Sequence, residues 1–291
     1  MQNLECSIII VNYNTCKLTL ECVESIRKFS SDFTYEIIVV DNASSDESSK
    51  ILSKTENIRY IQSDRNLGFG SANNMGAKSA KGQYLFLLNS DTILLENSIK
   101  KMLDFYIANQ KELNIGALGC ILIDEGNNFI NSGGFFPKAK NYINSYLGKT
   151  IKELEISTKK ESQEIDFVTG ADLMISKDIY EEIGGFDENF FLYYEETDLQ
   201  KRLANLGYKN YILTTTKIIH LEGGSDLGAT VSNFKRTVIH QSRNRYLKKH
   251  DSKDYYKYVF LDFFATLGRL GSKKYTIKEK VDFLKANFKS Y

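Results

Sequence analysis

The chain has 291 residues, enough for one large domain or for a core with an added lobe. Its 38 Lys and Arg nearly balance its 37 Asp and Glu, so the basic footprint of a nucleic-acid-binding protein is absent. The four cysteines, Cys6, Cys16, Cys22 and Cys120, form no CxxC pair and sit in or beside apolar stretches, which points to buried thiols in a reducing compartment and away from a disulfide framework.

The first five residues carry no basic n-region and run straight into a strand, so no secretory signal is expected. Residues 7–11 are a β-branched run and read as a buried strand. Asn14 or Thr15 suits the cap of a following helix, in which Leu18, Cys22, Val23 and Ile26 share a face. Residues 36–40 form a second buried strand that stops on Asp41. Ser44, Ser45, Asp46 and Glu47 then resemble a helix start, with acids near the positive dipole end. A short strand is expected at 58–61, a small-residue helix at 68–80 and a fourth strand at 84–88. Strands alternating with helices imply a mainly parallel sheet covered on both faces.

Beyond residue 110 the rhythm changes. A strand is expected at 116–123, and the next 40 residues are polar and irregular, with Gly133, Gly134 and the only proline, Pro137. Residues 150–164, rich in Lys, Glu and Ser, read as a mobile segment. Order returns at 166–170. Helices are expected from Ser176 to Gly184 and from Glu195 to Leu206, and a strand at 211–219 ends on His220. The remainder reads as a basic, aromatic helical tail. Its longest apolar stretch, 258–267, is interrupted by Asp262 and is shorter than the roughly 20 residues a spanning helix needs. A cytoplasmic protein is expected, with contact to the inner face of the membrane left open.

The ends of the expected strands carry the chemistry. An apolar run stops on Asn89, Ser90 and Asp91, and open α/β sheets bind ligands at the carboxyl ends of their strands. Asp91 there can reach a divalent metal, and the metal can hold a diphosphate. In a parallel sheet the same edge collects Asn12, Tyr13 and Asn14 from strand one and Asp41 from strand two. Each aspartate alone can be a helix cap; together they suggest a ligand site. The segment Asn66, Gly68, Phe69, Gly70, Asn73 resembles a dinucleotide loop but has Asn73 where the third glycine belongs, and it does not follow the first strand. Its small residues either let backbone amides approach a phosphate or serve helix–sheet packing. Glu195, Glu196 and Asp198 precede a helix, as dipole stabilisers or as carboxylates of a walled site. His220 precedes a glycine-containing loop that could fold over a phosphate; His240 and His250 have no such context.

Taken in order, Val11-Asn12-Tyr13-Asn14, Val40-Asp41-Asn42, Asn66-Leu67-Gly68-Phe69, Asn89-Ser90-Asp91-Thr92, Gly184-Gly185-Phe186-Asp187 and Glu195-Glu196-Thr197-Asp198 resemble a family 2 glycosyltransferase of the GT-A fold, in its bacterial rhamnosyltransferase-like branch. The resemblance covers residues 7 to about 225, with a weaker echo in Arg243-Asn244-Arg245. It implies a Rossmann-like α/β domain with a nucleotide-sugar half (1–110), an acceptor half (111–228) and a C-terminal helical extension (229–291). It also implies an inverting, metal-dependent hexosyltransferase of cell-surface polysaccharide synthesis. The donor would be a pyrimidine nucleoside-diphosphate sugar such as dTDP-rhamnose, a UDP-hexose or a UDP-N-acetylhexosamine, and the acceptor a glycan or lipid-linked glycan.

By that resemblance Asn12, Tyr13, Asn14 and Asp41 hold the base, with Asp41 accepting from a pyrimidine N–H, and Asn66, Gly68, Phe69, Asn73, Asn89 and Ser90 line the nucleotide-sugar site. The family's D-x-D motif stands here as Asn89-Ser90-Asp91, so Asp91 is the one carboxylate left for Mg²⁺ or Mn²⁺, joined by His220. Glu196 takes the place of the family's catalytic aspartate, with Glu195 and Asp198 beside it, on the acceptor side or in the shell that supports the base. Two rivals use similar cores: a non-catalytic nucleotide-sugar-binding subunit, and a nucleotidyltransferase, which would usually carry a glycine- and basic-rich loop where Asn12-Tyr13-Asn14 stands. For the tail, residues 234–291, three roles are open: lining the acceptor site, resting on an anionic membrane surface, or packing on the core or on a second subunit of a homodimer.

Overall fold

The structure, a computed structural model, describes residues 4–150, 154–221, 233–268 and 276–288. Its centre is a nine-stranded sheet in which β3 (Arg59–Gln62), β2 (Tyr35–Asp41), β1 (Cys6–Asn12) and β4 (Tyr84–Asn89) lie side by side and parallel. β10 (Asp172–Ser176) follows, antiparallel to both β4 and β6 (Ile115–Ile123). β11 (Lys209–His220) runs parallel to β6 and is flanked by two antiparallel strands, β5 (Thr92–Leu94) and β8 (Ser162–Ile165), while β7 (Gly133–Gly134) and β9 (Phe167–Val168) pair separately and α6 (Lys177–Glu182) follows β10. The expected mainly parallel sheet is therefore present, with β10 wedged into it.

Side-chain alternation along the central strands builds two cores. Ile8, Ile10, Phe86 and Leu88 pack on one face, beneath α1 (Cys16–Phe29) and α4 (Ser98–Leu113). Ile9, Val40, Leu85 and Leu87 pack on the other, with α3 (Phe69–Ser79) and α7 (Glu195–Asn205). All four cysteines are buried and free. A third cluster joins α5 (Ala139–Tyr146), α8 (Asn233–His250) and α9 (Ser252–Gly268) around Tyr246 and Tyr258. The last helix, α10 (Ile277–Phe288), packs on α8.

Several expectations change. The Thr15 hydroxyl does not cap α1; it reaches Asn12 Oδ1 (3.1 Å) and Ser90 Oγ (3.0 Å) instead. α2 is one short turn, Ser48–Leu52, and starts after the Ser44–Asp46 turn. The irregular stretch after 123 contains α5, and the segment read as mobile contains most of β8, which is held by its ladder to β11. β10 and β5 had no counterpart in the sequence reading. Among the described residues no helix is long and apolar enough to cross a membrane.

Candidate active site

The strand ends do converge. Asn12 pairs with Asp41 across β1 and β2, and Val11 pairs with Asn89 across β1 and β4. Asn12 and Asp41 are nevertheless fully buried. The Asn12 amide donates to Asp41 Oδ1 (3.0 Å) and Ser44 Oγ (3.0 Å), and its Oδ1 accepts from the hydroxyls of Thr15 and Thr19 (2.7 Å to Thr19). Asp41 also accepts from the Ser44 hydroxyl and from Tyr60 Oη (3.0 Å). Burial and that bond push the Tyr60 phenol far above its ordinary pKa. Both Asp41 oxygens thus accept from within the protein. Asn14, with φ +56°, turns its Oδ1 onto the backbone N–H of Ser45 (2.7 Å) and so shapes the neighbouring loop. Of the first group only Tyr13, 45% exposed, lines the cleft.

The cleft, about 820 Å³, opens beside these strand ends. Asn42 organises one wall. Its Oδ1 accepts from Leu67 N (2.8 Å), and its amide donates to Asn66 Oδ1 (3.0 Å) and Gly68 O (3.2 Å). Gly68 N donates to Asn66 Oδ1 (2.9 Å), and Phe69 N donates to Phe191 O (3.0 Å). The amides of Leu67, Gly68 and Phe69 are thus all satisfied internally. Gly68 is required here: at φ +83° a Cβ would lie 2.0 Å from Phe191 O. Asn66, Gly68 and Phe69 line the cleft. Asn73 does not; its amide donates to Phe69 O (3.1 Å) inside α3, and its Oδ1 is buried without a partner.

At the opposite wall stand Asn89, Ser90, Asp91 and His220. The antiparallel pairing of β5 with β11 sets Thr92 against His220, which brings the His220 Nε2 to 3.2 Å from Asp91 Oδ1 and 3.3 Å from Asn89 Nδ2. Leu221 N donates to Asp91 O (2.9 Å), fixing the junction. The loop expected to fold over a phosphate after His220 lies outside the described residues. A carboxylate and an imidazole side by side in a cleft suit a divalent cation that completes its shell with ligand oxygens. No third His, Cys, Asp or Glu joins them among the described residues. Asp172, at the head of β10, is fully buried; its Oδ2 accepts from Cys120 N (2.6 Å), and burial pushes its carboxyl up to about 7.

The acidic segment is placed by strain and by anchors. Tyr193 and Tyr194 both have positive φ (66° and 69°), an uncommon state for bulky residues, immediately before α7. Tyr194 Oη bonds Tyr142 Oη (2.8 Å). Glu195 is buried, and burial together with the charge of Glu196 raises its carboxyl well above the usual range. Burial also raises Glu196, which is half-buried beside Gly170. Gly170 also packs against Phe69, a cleft residue. Asp198 points elsewhere. It is fully buried and bonds Arg202 Nε (2.8 Å), Lys249 Nζ (2.7 Å) and His250 Nε2 (2.7 Å). Burial opposes its charge, but His250, Lys249 and Arg202 outweigh that and hold its carboxyl below the usual range. In this structure it anchors α7 to α8.

The C-terminal helices supply residues that sequence reasoning did not select. Phe234 and Lys235, in the first turn of α8, line the cleft; Phe234 meets Phe191 edge-on at 6.4 Å, and Lys235 Nζ lies 5.9 Å from the Tyr193 ring. Ser242 Oγ donates to Leu192 O (2.8 Å). Nothing local marks Lys235 within so basic a tail. Two other tail cations are ion-paired within the protein: Arg243 bonds Asp262 (3.1 Å) over the rings of Tyr142 and Tyr258, and Lys249 bonds Asp187 (2.7 Å) and Asp198.

The profile described as "Glycosyl transferase family 2" matches residues 7–184, over half of the chain. The chain belongs to this family. The matched span holds both cleft walls up to Asp91, whereas Glu196, His220 and α8 lie beyond it. Among curated relatives, glycosyltransferase GlyG of Streptococcus pneumoniae is 36% identical over 100 residues, 33% of each chain. The low-salt glycan biosynthesis hexosyltransferase Agl10 of Haloferax volcanii is 29% identical over 249 residues, 83% of this chain and 74% of that one. The N-acetylglucosaminyl-diphospho-decaprenol L-rhamnosyltransferase of Mycobacterium tuberculosis is 22% identical over 204 residues, 63% of this chain and 66% of that one. Among solved structures, GalNAc-T7 with UDP, GalNAc and Mn²⁺ superposes at a TM-score of 0.67 (16% identity, 99% of this chain, 55% of that one). TarS of S. aureus in complex with UDP superposes at 0.55 (17% identity, 97% and 79%). These similarities confirm the GT-A fold. The chain spans only a third of GlyG and about half of the GalNAc-T7 chain.

Proposed function

We propose that this member of family 2 is an inverting glycosyltransferase of surface-glycan synthesis. It would move a sugar from a pyrimidine nucleoside diphosphate to a hydroxyl of a glycan or lipid-linked glycan. The observation that carries this reading is the Asp91–His220 pair at the strand ends, facing the Asn42–Asn66 wall across one cleft. Tyr13 offers a ring to the base. Asn12 and Asp41 act from beneath it, fixing Ser44 and Tyr60.

Asp91 and His220 would hold Mg²⁺ or Mn²⁺, which supplies positive charge to the departing diphosphate. Lys235 adds a second positive charge at the same cleft. Glu196 removes the proton from the acceptor hydroxyl. The oxygen attacks the anomeric carbon as the bond to the diphosphate breaks, and the electron pair leaves with the diphosphate. One displacement inverts the anomeric centre. Glu196 suits the base role because burial raises its carboxyl and so makes it the stronger base.

A thermal-shift screen of UDP- and dTDP-sugars with Mn²⁺, followed by donor hydrolysis, tests the proposal. A shift with one pyrimidine donor and slow hydrolysis that Glu196→Gln abolishes are expected. No shift with any of them removes the donor assignment. Binding without hydrolysis or transfer favours the non-catalytic subunit, the reading that Asn89 in place of a D-x-D aspartate otherwise supports.

A further inference from the structure

Arg243 and Lys249 are ion-paired within the protein, and α9 presents a different surface outward. On α9, Tyr255, Tyr258, Asp262 and Thr266 are buried, a stripe at helical spacing. Asp262 fixes that orientation: it accepts from His240 Nε2 (2.6 Å), Arg243 and the Tyr146 hydroxyl. The opposite side of the helix is therefore forced outward. It carries Lys253, Tyr256, Lys257, Phe260 and Phe264, all exposed. Tyr256 is 74% exposed, Phe260 62% and Phe264 54%. Phe260 and Phe264 stack edge-on at 4.9 Å, so the two rings form one apolar ridge one turn long.

Three exposed aromatics on one helix face are too many to be scattered surface residues. The charge pattern selects what covers them. The exposed positions of α9 include two lysines and no carboxylate, while its acids, Asp254 and Asp262, are half-buried and buried. A second copy docking through the same face would set lysines against lysines and rings without any counter-charge. A bilayer with anionic headgroups meets both halves of the pattern: rings enter the headgroup boundary, and the ammonium groups stay at the phosphates.

We propose that the outer face of α9 is a peripheral membrane contact, with Tyr256, Phe260 and Phe264 inserted at the interface of an anionic bilayer and Lys253 and Lys257 on its phosphates. Arg243 and Lys249, which the sequence pattern also offers to lipid, take no part, since both are paired inside the protein. The surface is separate from the cleft and stands independently of the donor assignment.

The test is sedimentation of the full chain with vesicles of phosphatidylglycerol and phosphatidylcholine, against vesicles of phosphatidylcholine alone. Wild type is expected to sediment with the anionic vesicles and to be released by high salt. Phe260→Ser with Phe264→Ser, and separately Lys253→Glu with Lys257→Glu, should each lower the partition by about tenfold or more. Thermal unfolding and nucleotide binding should be unchanged, because these side chains touch neither core nor cleft. Wild type that ignores anionic vesicles, or variants that sediment like wild type, overturn the proposal. A wild-type dimer in light scattering that the phenylalanine pair of substitutions dissociates assigns the face to a second copy and overturns it equally.

Discussion

Replacing Asp198 by Ala is the sharpest test of how the acidic segment is built. The carboxylate is fully buried and is met by Arg202, Lys249 and His250 at 2.7–2.8 Å. Truncation removes the acceptor these three donors share, leaving Lys249 only Asp187 and Arg202 only the carbonyls of Ile183 and Gly185. Removing one partner of a buried pair costs about 3–5 kcal/mol. Lys249 is 34% exposed and water recovers part of its loss, which favours the lower end, about 3 kcal/mol. At roughly 2 °C per kcal/mol for a chain of this size, Tm should fall by about 6 °C at neutral pH. The pH dependence has a definite sign. The folded carboxyl is held below its ordinary value, so its stabilisation is complete above the unfolded aspartate pKa of about 3.9 and disappears as pH falls through the folded value. The gap between wild type and variant should therefore close under strongly acidic conditions. Differential scanning calorimetry at neutral and acidic pH measures both. A Tm change under about 2 °C, accompanied by a raised acceptor KM, would refute the anchor and return Asp198 to the acceptor side.

Glu196→Gln should lower kcat by about 10³-fold with donor affinity retained, and for wild type the acid limb of kcat/KM should lie above the ordinary glutamate value of about 4.3, since the base works only when deprotonated and burial raises it. For Asp91→Asn, calorimetry should show Mn²⁺-dependent donor binding weakened while metal-independent binding persists; identical isotherms count against the metal corner. Lys235→Met should erase the preference for UDP over UMP, and an unchanged ratio rules out contact with the diphosphate. Gly68→Ala, forced into φ +83° against Phe191 O, should cost about 1–3 kcal/mol and loosen nucleotide binding, visible together in a thermal melt with and without UDP.

Strands β1, β2 and β4 were legible because buried parallel strands are unbroken apolar runs, and the polar residues that stop them mark the ligand edge. That logic located Asn12, Asp41 and Asn89–Asp91 but not their orientation. Asp41 and Asp91 look alike in sequence, and only the crossing bonds from Asn12, Ser44 and Tyr60 turn Asp41 inward. β5 is three residues long, too short for any periodicity, yet its pairing with β11 is what brings His220 to Asp91. β10 opens on a buried carboxylate and runs against its neighbours, so it lacks the usual signature of a central strand. Asp198 sits in the first turn of a helix, where an acid needs no further explanation; two of its three partners, Lys249 and His250, arrive from a helix some fifty residues later.

These long-range bonds explain why the C-terminal helices belong to the chemistry. The segment between Phe191 and Glu196 passes through two consecutive left-handed residues, each costing about 1–2 kcal/mol without compensation. It holds that shape because it is gripped on several sides. The nucleotide-side loop grips it through Phe69 N and Phe191 O. α8 grips it through Ser242 on Leu192 O, and α5 through Tyr142 on Tyr194. Lys249 and His250 then fix the start of α7 through Asp198. The orientation of Glu196 therefore depends on both the nucleotide wall and the tail. Deleting residues 234–291 would remove a wall of the cleft and two of these grips at once, so loss of activity on truncation says nothing about membranes. Point substitutions on the outer face of α9 leave every grip in place, and only they can separate a lipid contact from the support of the base.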